Sequence, residues 1–213
     1  MTPNETASQV ATEGVQVRPD REGYPAYTPS TKSGALRQGE LLCDVVSYIV
    51  DIDSKSASPV TYKYLMVVSQ DCELDQHFRN LPQNDSSPSD HPFTLFVLGM
   101  SAVDFDEYRK SEGHVRGDVW KQLRKNLHPR YQFLDSADAS KSSKDESIPE
   151  LVLDFKKIIA IPSSQLYLQN SDHEWELRYD RISELLSPYK ENLQQRFVSF
   201  LGRVGLDLPH KSV

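Results

Sequence analysis

The chain has 213 residues, 38% of them hydrophobic, and 31 acidic against 24 basic side chains give it a formal charge of -7. That length suits one core with insertions. The acidic balance excludes a broad phosphate-binding surface while leaving room for a local basic groove. No run approaches the roughly 20 apolar residues that cross a bilayer, and the polar start lacks the apolar segment of a signal peptide. A cytoplasmic chain without membrane contact is expected, with Cys43 and Cys72 as free thiols, since no CxxC pair or histidine-rich segment accompanies them.

Residues 1–33 hold Pro3, Pro19, Pro25 and Pro29 among polar residues and few aliphatics, so they predict a flexible arm, or a strap docked by Tyr24 and Tyr27. Residues 34–213 form the single folded domain. After Gln38-Gly39-Glu40, the apolar and β-branched run from Leu41 to Val50 predicts a strand. Residues 51–60, with Asp, Ser, Lys and Pro59, have the composition of a loop. The stretch Tyr64-Leu65-Met66-Val67-Val68 then predicts a buried central strand that delivers Ser69-Gln70-Asp71-Cys72-Glu73-Leu74 where the chain leaves the core.

Phe93 to Leu98 is a third predicted strand. In the segment 101–127 the period changes: Val119, Trp120, Leu123 and Leu127 share one helical face, with a shorter helix expected through Phe105 and Tyr108. Pro129 ends this helical insertion and Arg130 to Leu134 predicts a short strand. Residues 135–147 are expected to be a loop with nothing to pack. Two apolar segments divided by Lys156-Lys157, then Gln165 to Leu168 and Trp175 to Tyr179, complete the β-like material. The C-terminal helix is expected over 188–204, with Ser187 as N-cap, Pro188 as its first residue and Gly205 closing it. Leu193, Phe197, Phe200, Leu201 and Val204 form its apolar face.

Gln38-Gly39-Glu40, Val67-Val68-Ser69 and the run from Asp154 to Leu166 resemble the order of elements in PemK/MazF-like SH3-type barrels. The Ser69-Gln70-Asp71-Cys72-Glu73-Leu74 signature, with Gln195-Arg196-Phe197 and Arg203-Val204-Gly205-Leu206, resembles a bacterial family from defence and mobile-element gene neighbourhoods. The resemblances imply an α+β fold, a bent antiparallel sheet or SH3-like barrel from 38 to 180 with a helical insertion and a C-terminal helix. They also imply an accessory or regulatory protein that binds a protein partner. Tyr62-Lys63 stands where PemK/MazF-type ribonucleases carry an Arg-Pro pair, so their catalytic residues do not transfer.

The expected contact surface is Gln70, Asp71, Cys72 and Glu73 with Arg79 and Arg130. The alternative is a metal-independent endoribonuclease acting on RNA, in which Arg79 or Arg130 stabilises the transition state and His128 or His77 moves the proton. A third reading makes Cys72 a nucleophile, although Asp71 and Glu73 beside it disfavour a thiolate. The plainer expectations are that Cys72 is a small buried thiol at a strand end, and that Arg196 or Arg203 ties the last helix to Asp71 or Asp154. With no Gly-rich phosphate loop, GxSxG or HExxH motif, neither a cofactor nor a metal is expected.

Overall fold

A computed structural model describes residues 26–30, 34–81, 93–111 and 118–203. Its strands are β1 (Tyr27–Thr28), β2 (Glu40–Asp51), β3 (Ser56–Val67), β4 (Phe93–Ser101), β5 (Tyr131–Leu134), β6 (Leu151–Pro162), β7 (Tyr167–Gln169), β8 (Trp175–Leu177) and β9 (Asp180–Leu185). The helices are α1 (Asp71–Arg79), α2 (Ala102–Ser111), α3 (Asp118–Arg124), α4 (Ser163–Leu166) and α5 (Tyr189–Arg203). Seven strands make one antiparallel sheet in the order β1-β9-β2-β3-β4-β6-β5, and β7 and β8 form a separate ribbon.

The expected SH3-like barrel is not formed. A barrel needs its two outer strands to pair with each other, whereas here, among the described residues, β1 pairs only with β9 and β5 only with β6. The sheet bends without closing, and register shifts lie at Leu41/Leu42 against β9 and at Val97/Leu98 against β6. Such irregularities bend and twist the strands they occupy. The α+β class stands and the PemK/MazF-like barrel does not.

Both faces of the sheet are buried, which is why its central strands read as continuous apolar runs rather than alternating ones. Leu41, Cys43, Met66, Val97, Leu153 and Phe155 face α5, whose Leu193 and Phe197 cover them. Leu42, Val45, Leu65, Val67 and Phe96 face the other way, towards Leu74 of α1, Leu166 of α4 and Tyr167 of the small ribbon. Phe105 of α2 and Leu123 of α3 pack with Tyr131, Phe133 and Val152. Leu127, expected on that helical face, lies past the end of α3 and is exposed.

Several expected loops are ordered elements. Residues 51–60 are a tight hairpin: β2 runs to Asp51, a turn spans 52–55 and β3 begins at Ser56. Gln70 to Leu74 opens into α1 instead of a loop. The segment 135–147 holds a 3-10 turn over Ala139–Lys141, and Ala137 bridges Ile148. The segments flanking Lys156-Lys157 are one strand, β6, and Gln165-Leu166 belongs to α4 rather than to a strand. Helix α5 starts at Tyr189, so Pro188 precedes it, and Ser187 Oγ donates to Glu191 Oε1 at 3.0 Å. Val204, Gly205 and Tyr24 lie outside the described residues.

Candidate functional site

The signature after β3 has a clear internal division of labour. Asp71 Oδ1 accepts a hydrogen bond from the Gln38 N–H at 2.7 Å, and Asp71 Oδ2 pairs with Lys190 Nζ at 2.7 Å. One carboxylate thus joins the entry to β2, the first turn of α1 and the first turn of α5. Leu74 is buried beneath the helix, and Phe78 stacks edge-on against Tyr167 at 5.2 Å. Ser69 is also structural, since its Oγ accepts from the Leu95 N–H at 2.9 Å.

Gln70, Cys72, Glu73 and Arg79 are left on the exposed side. Cys72 is therefore not the buried strand-end thiol expected from the general burial of free cysteines; its Sγ sits 3.7 Å from Gln70 Oε1. Arg79 pairs with Asp75 one turn earlier at 2.6 Å, with both side chains largely in solvent. His77 is on the same helix, and burial lowers its pKa against an opposing pull from Glu73.

Arg130 belongs elsewhere, at the head of β5 on the edge of the sheet. Its Nε and Nη2 donate to Asp154 Oδ1 and Oδ2 at 2.7 and 2.6 Å, a bidentate pair whose carboxylate is fully buried. The guanidinium also lies 4.8 Å from the centre of the Tyr131 ring. Next to it, His128 Nδ1 accepts from the Arg130 N–H at 3.2 Å, and its ring packs 4.7 Å from that of Tyr131. Arg196 of α5 donates through Nη2 to the carbonyls of His128 and Tyr131 at 2.8 and 2.7 Å. Burial, then the nearby Arg109, Arg130 and Arg196, lowers the His128 pKa. Both arginines are thus spent on holding β5, β6 and α5 together.

The expected tie between α5 and the sheet exists with different partners: Lys190 takes Asp71, and Arg196 takes backbone carbonyls. Lys190, a lysine two residues into a helix, is not singled out by the sequence, because nothing local marks its partner.

The most buried ion pair among the described residues is likewise unmarked in the sequence. Arg181 Nη1 lies 3.5 Å from Glu40 Oε1, with both side chains at most 2% exposed. Arg181 also donates to the carbonyls of Gly34 and Ala35. Glu40 accepts from Ser30 Oγ and from the Arg37 N–H at 2.7 Å, while burial outweighs Arg181 and raises its pKa. The available signal was slight: Glu40 opens the apolar β2, but Arg181 is the second residue of the mostly polar β9. A cavity of about 710 Å³ lies beside this pair, walled by Phe78, Trp175, Leu177 and Tyr179. Its arginine is already engaged by Glu40 and the two carbonyls.

Among the described residues no three His, Cys, Asp or Glu side chains gather to hold a metal ion, and no helix is long and apolar enough to cross a membrane. No family model matches the chain, and no curated protein matches it either.

Proposed function

We propose that the chain is an accessory interaction protein that acts by binding a protein partner through the exposed side of α1. The observation that supports this is the clamp on Asp71. Gln38 and Lys190 fix the first turn of the helix from two other elements, while Gln70, Cys72 and Glu73 beside it point no apolar bulk into the core and stay exposed. A surface held rigid before contact loses less conformational freedom on binding. Arg79 extends the surface along the helix; Arg130, bound to Asp154 on the sheet edge, is not part of it. The proposed setting, a bacterial defence or mobile-element system, comes from the likeness of the Ser69–Leu74 and Gln195–Leu206 signatures.

The test is affinity capture from the native host with the tagged full chain and with a Gln70→Ala, Glu73→Arg variant. A stoichiometric protein held by the first and lost from the second supports the reading. Equal retention by both, or recovery of RNA alone, rejects it. RNA alone would favour the ribonuclease alternative, for which the neutral imidazole of His128 beside Arg130 and Arg196 is the available proton-transfer group.

A further inference from the structure

The outer half of the β2–β3 hairpin extends past its neighbours. Strand β9 pairs with β2 only from Glu40 to Cys43, and β4 pairs with β3 only from Tyr64 to Val67. Beyond those points the two strands, among the described residues, pair only with each other, as far as Asp51 and Ser56. This arm carries apolar side chains in solvent: Tyr48, Ile49, Val50 and Ile52 are 63%, 59%, 65% and 84% exposed. Contiguous exposed apolar residues of this kind mark contact surfaces.

The two edges of the arm are not equivalent. Cys43 and Val45 lie two positions apart yet face opposite sides of the sheet, and between them Asp44 has a left-handed backbone with φ 52°. The strand's alternation is therefore reset at Asp44. Tyr179 Oη donates to the Val46 carbonyl at 2.7 Å, so that carbonyl faces away from β3. With a period of two, the backbone groups of Tyr48 and Val50 also face outward along β2. Across the ladder Tyr48 stands opposite Pro59 and Val50 opposite Ala57, which makes these the outward residues of β3. Pro59 has no N–H to offer there, a common protection of an exposed edge. The β2 edge has no such protection.

We infer that the open β2 edge of the arm is the docking site for the same edge of a second copy of this chain, in an antiparallel pairing about a two-fold axis at Ile49. That register sets Ile49 against Ile49, Tyr48 against Val50 and Ser47 against Asp51, so no carboxylate opposes another. Directly opposed like charges destabilise a strand pair, and aromatic and β-branched pairs favour it. The outward backbone groups of Tyr48 meet those of Val50 on both sides of the axis, so one contact satisfies both open edges. Because Pro59 blocks the outer edge of β3, the pairing closes at two copies and does not propagate into a filament. The arm is separate from the α1 surface, so the dimer stands or falls independently of the partner reading.

The experiment is sedimentation velocity of the full chain over a concentration series, with hydrogen exchange read at the arm. The expected result is a species of twice the 24.3 kDa chain mass that grows with concentration, with the Tyr48 and Val50 amides protected as it forms. Tyr48→Lys with Val50→Lys, which sets lysines opposite each other across the axis, should restore the single mass. Ala57→Lys with Thr61→Lys on the other edge should leave the dimer intact. All four positions are exposed, and exchange on the unmodified chain does not depend on how the variants fold. A single mass at every concentration overturns the inference. So does a dimer that the β2 variant retains, or one that the β3 variant dissolves.

Discussion

Arg130 and Asp154 face each other with two parallel hydrogen bonds at 2.7 and 2.6 Å, the carboxylate wholly buried and the guanidinium at the surface rim. Arg130→Ala strands an uncompensated charge inside the sheet. Removing one partner of a buried pair costs about 3–5 kcal/mol, and a denaturant titration should show a loss at the lower end, since Arg130 keeps some solvent contact. A variant that loses stability in this way cannot be read as a catalytic knock-out.

Phe197 packs its ring 5.7 Å from that of Phe155 and is 5% exposed. Phe197→Ala should destabilise by about 3–5 kcal/mol. Val198→Ala, at an exposed position one residue on, should stay within about 0.5 kcal/mol of the parent. Thermal unfolding of the pair checks which side of α5 meets the sheet.

Folding should weaken in mild acid because of His128. Its folded pKa is depressed by burial and by neighbouring cations, so the unfolded chain binds the proton more readily. The stabilisation is fully present above the free imidazole value of about 6.5 and is lost as pH falls through the folded value. His77 acts in the same sense. His128→Asn should flatten the fall in unfolding free energy below that pH, measured by urea titrations across the range.

Asp71→Ala removes one acceptor from Gln38 and one anion from Lys190, and should cost about 1 kcal/mol after allowance for its half-exposed position. Gln70→Ala, on an exposed side chain, should cost almost nothing. Parallel melts of the two variants separate the helix's fixing point from its free surface.

Thiol labelling of the native chain should consume one equivalent quickly. Cys72 is exposed, whereas Cys43 is 7% exposed, and burial raises the Cys43 pKa against the opposing hydrogen bond from Lys144. Peptide mapping should place the fast label on Cys72, and the second thiol should react only on unfolding.

Local pattern revealed most of the strands and helix α5 because apolar runs and helical spacing are properties of neighbouring residues; it did not reveal β9, whose Asp180-Arg181-Ile182-Ser183-Glu184-Leu185 carries only two apolar residues. Closure of the sheet is not such a property: whether β1 meets β5 depends on strand order, and no short run encodes that. The hairpin was hidden because Pro59 and the serines around it read as loop, although proline costs nothing on an outward-facing edge position. Helix α1 was hidden because a cluster of Ser, Gln, Asp and Glu after a strand resembles an exit loop as much as a first helical turn. The exposed side of that cluster was readable in kind, as polar residues at a strand end, but the clamp on Asp71 required the lysine 119 positions later (190 − 71).

Helix α5 grips the molecule at two places, Asp71 through Lys190 and the turn at His128 through Arg196. Those cations lie six positions apart on the helix, about 9 Å along its axis. Every element they hold comes earlier in the chain. During synthesis the face lined by Met66, Leu153 and Phe155 therefore stays uncovered until α5 has left the ribosome, and its emergence decides when the earlier strands stop being sticky.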